Sequence, residues 1–156
     1  MIQRIQSLYL LLVCIGCILL IFFPLAQYDR GIQGLYILYA YGLKYTGETQ
    51  TLVRPLFTSP LPALLVMTFS LVLVSIFFYK KRRIQVLLIN TGFLLQMVFI
   101  GLVFLYYTGH FEKFLQVQIS YKAGIFIPLV MLVLLIVASR AVRKDEALVK
   151  STDRLR

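Results

Sequence analysis

Charge is scarce in this chain. Of 156 residues, 14% are Asp, Glu, Lys or Arg and 60% are hydrophobic. Soluble domains carry about 25% charged and about 45–50% apolar residues, which excludes that class. Acids are scarcer still, six against sixteen Lys and Arg, for a net charge of +10. Tryptophan is absent, histidine occurs once as His110, and cysteine twice as Cys14 and Cys17. That set builds neither a disulfide framework nor a zinc site of the usual kind. His110 and Glu112 stand two apart with no further ligand pattern and read as solvated loop residues. No nucleophile–base pair and no glycine-rich phosphate loop is visible. The expectation is a protein that is not an enzyme and needs no cofactor or metal.

What the chain does have is long apolar runs. About 20 such residues suffice to cross a bilayer as a helix. The runs at 5–24, 61–79, 84–107 and 123–139 contain no Asp, Glu, Lys, Arg or His. Pro24 stops the first, and Pro60 and Pro62 open the second, where missing amides cost least. Arg4 before an apolar run is a superficial signal-peptide pattern. The run is long for a signal core and Pro24-Leu25-Ala26 is a weak cleavage site, so an uncleaved span is expected. The fourth run contains Pro128, which predicts a kink that frees a carbonyl near Gly124, and it admits an earlier start at Ile119.

The runs are arranged around Lys80-Lys81-Arg82-Arg83. Each cation would cost about 2.5–3.5 kcal/mol at a span centre, so the chain must surface and turn here. Short loops dense in Lys and Arg mark the cytoplasmic side. With both termini inside, eleven cations are cytoplasmic and five fall in the outer loops 27–60 and 108–122. Arg140, Arg143 and Lys144 cap the fourth span, and the tail 140–156 leaves the membrane as a helix with one Glu146–Lys150 pair. These cations set topology and meet anionic head groups of the inner leaflet, so the positive charge does not imply nucleic acid.

The outer loop 27–60 has two readings. Leu35, Ile37, Tyr39, Tyr41, Leu43 and Tyr45 alternate, as in a strand with one bulky face. Thr46-Gly47-Glu48 would then turn it back toward 50–56 as a small hairpin. The other reading is a loop whose tyrosines float at the head-group level.

Two constellations inside the spans could carry chemistry. Cys14-Ile15-Gly16-Cys17 is a C-x-x-C motif and supplies redox candidates. A reactive thiolate needs a helix N-terminus or a nearby cation, and this pair sits mid-run without either. The bland reading is small residues that let helices approach closely. Asn90 and Gln96, with Thr68, Ser70, Ser75, Gln85 and Thr91, are polar residues inside the second and third spans. They read as interhelical hydrogen-bond formers or as the lining of a path for a neutral solute. Proton relays and ion-coupled carriers place ionisable groups within the bundle, which this pattern does not offer.

The opening Met1-Ile2-Gln3-Arg4-Ile5-Gln6-Ser7, the ending RAVRKDEALVKSTDRLR, and the basic loop followed by Ile84-Gln85 resemble a bacterial four-span membrane family known only as a domain of unknown function. The resemblance covers the whole chain and is most specific at the tail. It implies a small inner-membrane protein of four helices and brings no activity or catalytic residue; Cys14 and Cys17 stand outside its pattern. The expected fold is thus an all-α membrane protein: one domain over 1–156, a four-transmembrane-helix bundle with cytoplasmic termini and, on one reading, an extracytoplasmic hairpin between helices 1 and 2. The expected role is a non-enzymatic scaffold or accessory subunit of a larger membrane assembly. Alternatives are a membrane thiol oxidoreductase using Cys14 and Cys17, and a small channel or carrier for a neutral solute.

Overall fold

A computed structural model describes residues 3–29, 34–46, 52–53, 60–79, 81–109 and 118–154. Lys80, Glu48, His110, Glu112 and Lys113 lie outside the described residues. Four α-helices follow the apolar runs: α1 Gln3–Phe22, α2 Pro60–Phe77, α3 Arg82–Gly101 and α4 Phe126–Arg154. α3 continues as a π-helical stretch over Leu102–Thr108, and a 3-10 turn, Ala123–Ile125, leads into α4. Three apolar helical stretches, Pro60–Phe77, Arg82–Tyr107 and Ala123–Ala147, are long enough to cross a membrane. Pro128 falls in the first turn of α4, where a proline displaces little, and not at an interior kink. Ile119 belongs to a strand, so α4 does not begin there.

The helices bury one seam each. On α1 it is Gln6, Leu10, Val13, Cys17 and Leu20, with Cys14 and Gly16 buried at its sides; on α2, Leu61, Leu65, Thr68, Val72 and Ser75. On α3 it is Gln85, Ile89, Gly92, Gln96, Phe99 and Val103. On α4 it runs through Pro128, Met131, Leu135, Ala138, Val142 and Asp145. The spacing alternates between three and four residues on every helix, the period of left-handed bundle packing. Outside the seams the helices are apolar and bare: Val66, Leu87, Leu94, Val130 and Val133 are each more than half exposed.

α1 and α4 keep one antiparallel register along their length. Gln6 lies beside Ala141 (3.2 Å) at one end. Midway, a Cβ on Gly16 would lie 2.7 Å from Met131 Cγ. At the other end the Gly124 N–H donates to the Pro24 carbonyl at 3.2 Å. Although α1 is shorter, it therefore runs the same depth as the apolar part of α4.

The all-α expectation is corrected by a five-stranded antiparallel sheet. Its strands are β1 Ala26–Asp29, β2 Leu35–Tyr39, β3 Gly42–Thr46, β4 Leu52–Val53 and β5 Gln118–Tyr121, in the order β4-β3-β2-β1-β5. The hairpin reading of the first outer loop holds, but the sheet is larger, because β5 comes from the second outer loop and pairs with β1 (Gln27 opposite Ser120). The single long strand is also corrected. Ala40 and Tyr41 form a two-residue turn, with Tyr39 opposite Gly42 and Leu38 opposite Leu43. Residues directly opposite share a face. Leu35, Ile37 and Tyr39 therefore lie on the other face from Leu43 and Tyr45, and no single bulky face exists. The expected return toward 50–56 is β4, antiparallel to β3.

β1 leaves the bundle at Ala26, which pairs with both Leu38 and Tyr121. The β2–β3 tip thus points back at the helices: Ala40 is fully buried and the Tyr39 and Tyr41 rings stack at 5.1 Å. Leu25 N–H donates to Leu38 O (2.8 Å) and Lys122 N–H to Leu25 O (3.1 Å), fastening sheet to bundle. Tyr28 is fully buried, and that burial, with the Tyr121 phenol beside it, pushes its own phenol up from the ordinary value.

Candidate functional site

The end of the bundle away from the sheet gathers the charge. The α2–α3 turn carries Lys81, Arg82 and Arg83 there, and α4 brings Arg140, Arg143 and Lys144. One ion pair joins the two sources: Arg82 Nη2 lies 3.0 Å from Asp145 Oδ2, and Nη1 donates to the Asp145 carbonyl at 3.4 Å. Lys81, Arg83, Arg140, Arg143 and Lys144 are exposed. Of the seven cations that the sequence singled out, six are thus brought to one pole, and Lys80 lies outside the described residues.

Below the cations the seams turn polar. Gln6, Ser75, Gln85 and Asp145 are buried on α1, α2, α3 and α4, within the last turns before the pole. Gln6 Nε2 donates to the Ala141 carbonyl across to α4. Among the described residues, Ser75 Oγ and Gln85 Oε1 have no hydrogen-bond partner. Ser70 and Thr91 spend their hydroxyls on the carbonyls of Val66 (2.8 Å) and Leu87 (3.0 Å) in their own helices.

Asn90 and Gln96 both face α4 but are not joined to each other. Gln96 is 1% exposed and its Nε2 donates to the Pro128 carbonyl at 3.2 Å. Asn90 is half-buried and accepts at Oδ1 from Ser139 Oγ at 3.0 Å. Beside that bond a groove of about 190 Å³ opens between α3 and α4, lined by Phe93, Leu135 and Ile136 below and by Arg140 and Arg143 above.

Cys14 and Cys17 are free and buried in the bundle. Gly16 between them brings α1 onto Met131. Among the described residues no three His, Cys, Asp or Glu side chains gather as metal ligands.

Sequence reasoning missed two members of the basic pole. Ser139 was only a span end, and Asp145 only a tail residue next to Glu146. Carrying the three-four spacing past Ala138 through Val142 would have turned Asp145 inward, toward the Arg82 helix.

The model of the family described as Domain of unknown function (DUF4293) matches residues 2–155. The chain belongs to that family. No curated protein matches it.

Proposed function

We propose that this DUF4293 protein is an integral protein of a bacterial inner membrane with four crossings and both termini on the cytoplasmic side. It acts without catalysis, as a small scaffold or accessory subunit of a larger membrane assembly. Three long apolar helices and a matched fourth support the crossings. The dense cations at one pole support the orientation, since Lys and Arg concentrate in cytoplasmic loops. The sheet then stands outside, with Tyr39, Tyr41 and Tyr121 at its membrane-proximal rim, where aromatic side chains favour the head-group layer.

One observation carries the scaffold reading: four polar contacts tie α4 to α1 and α3. Gln6 is bonded to α4, Gln96 to Pro128, Asn90 to Ser139, and Arg82 is paired with Asp145. Each of the three neutral bonds contributes about 0.6–2 kcal/mol in a membrane. The same bonds weigh against a wet path past Asn90 and Gln96. The thiol-oxidoreductase alternative would work through Cys14 and Cys17, which pack in the bundle seam with no cation beside them in sequence.

The experiment is purification of the tagged chain from native membranes in mild detergent, with partner identification. A stoichiometric partner that survives a second purification through its own tag is expected. A lone monomer without an enriched partner overturns the scaffold reading. Solute permeability in reconstituted vesicles, or thiols that trap readily in oxidant, would favour the carrier or the oxidoreductase instead.

A further inference from the structure

We propose that the groove between α3 and α4 at the basic pole binds one anionic phospholipid, its phosphate held by Arg140 and Arg143. The inference rests on the membrane-spanning reading above and assigns that pole a ligand of its own. The lining is amphipathic in one direction: Leu135 is fully buried at the floor, Phe93 and Ile136 are half-buried walls, and the two arginines are exposed at the mouth. Arg140 and Arg143 stand three apart, on one face of α4. They follow directly on the uncharged stretch 126–139, which sets them at phosphate height.

The buried acid of this pole is already engaged. Asp145 is paired with Arg82, and among the described residues no carboxylate lines the groove. Ser139 occupies the Asn90 carbonyl oxygen, which leaves the Asn90 amide N–H groups as the neutral donors of the groove. Two cations above, an amide donor at mid-height and apolar walls below match a phosphate, a glycerol ester and the start of acyl chains in that order. At about 190 Å³ the groove is smaller than the ~300–1,000 Å³ of pockets that enclose a whole ligand. It fits the phosphoglycerol part of a lipid whose chains continue along the bare apolar face beside Leu94 and Val133.

The test is native mass spectrometry of the full chain in detergent, titrated with phosphatidylglycerol and with phosphatidylcholine of the same chain length. One phosphatidylglycerol per chain is expected, bound about ten-fold or more tightly than phosphatidylcholine. R140Q/R143Q should lose about ten-fold, and each single variant part of that. K81Q/R83Q removes the same charge from exposed sites of the same pole outside the groove and should change affinity by less than about two-fold. Equal binding of both lipids overturns the proposal. So does equal loss in the two double variants, which would mean a diffuse field, or displacement by soluble glycerol phosphate, which would mean a site for free phosphate. Failure of the membrane reading is seen separately, as a chain that does not fractionate with bilayers.

Discussion

Gly124 and Gly16 show how much one hydrogen atom decides in this bundle. A Cβ on Gly124 would clash with the Pro24 carbonyl oxygen, a backbone atom whose peptide is pinned by the sheet. A Cβ on Gly16 would meet Met131 Cγ at 2.7 Å and Sδ at 3.0 Å, atoms of an unbranched side chain that can adopt another rotamer. G124A is therefore expected to destabilise by about 1–3 kcal/mol and G16A by less than about 1 kcal/mol. Thermal or denaturant unfolding in detergent distinguishes them; equal losses would contradict the contrast. The sequence offered Gly16 as a close-approach residue but Gly124 only as the neighbour of a carbonyl freed by a Pro128 kink. The first sits in a helical seam with a readable period, whereas the second meets a residue a hundred positions earlier, which no local pattern displays.

Among elements, α3 and α4 depend on each other at the basic pole. Asp145 is 8% exposed, and removing Arg82 would leave its carboxylate buried without the guanidinium. Breaking a fully buried pair costs about 3–5 kcal/mol. These side chains keep 22% and 12% of their exposure, so R82Q is expected to cost about 1–3 kcal/mol. R82Q/D145N should recover much of that loss, and a double-mutant cycle in detergent measures the coupling. Additive losses would mean that the pair contributes nothing.

Helix ends and seams could be read from the chain because each has a local cause. Prolines and cations mark the ends where they stand: α1, α2 and the start of α3 lie within two residues of the apolar runs, whereas α4 continues past 139 to Arg154. The sheet was half visible. Alternation at 35–45 announced strands, but no Asn-Gly or Asp-Gly marked the turn at Ala40–Tyr41, so the alternation ran on and two faces looked like one. Pairing of Gln27 with Ser120 was out of reach, since the two are joined only through two intervening helices. Tail residue Asp145 misled for a related reason: beside Glu146 and Lys144 it looks solvated, and only its helical phase turns it inward.

For the molecule as a whole, the two poles differ in kind, and that difference fixes an expected labelling pattern. Thr46 and Ser120 are exposed on the sheet, and Arg83 and Lys144 at the basic pole. In a background with Cys14 and Cys17 replaced by alanine, T46C and S120C should react with a membrane-impermeant maleimide in intact spheroplasts. R83C and K144C should react only after permeabilisation. The reverse pattern would invert the topology, and labelling at all four positions without permeabilisation would remove the bilayer from between the poles.

The pairing of β1 with β5 also has a consequence for biogenesis. The first strand follows α1, but its neighbour on one side is not synthesised until nearly a hundred residues later. On the proposed topology β1 reaches the far compartment early and keeps one edge open until the third crossing has been delivered by the translocon. Closing that edge is the step that couples the earliest inserted segment to the latest, so a nascent chain stalled before residue 118 would present an unfinished sheet to quality-control proteases.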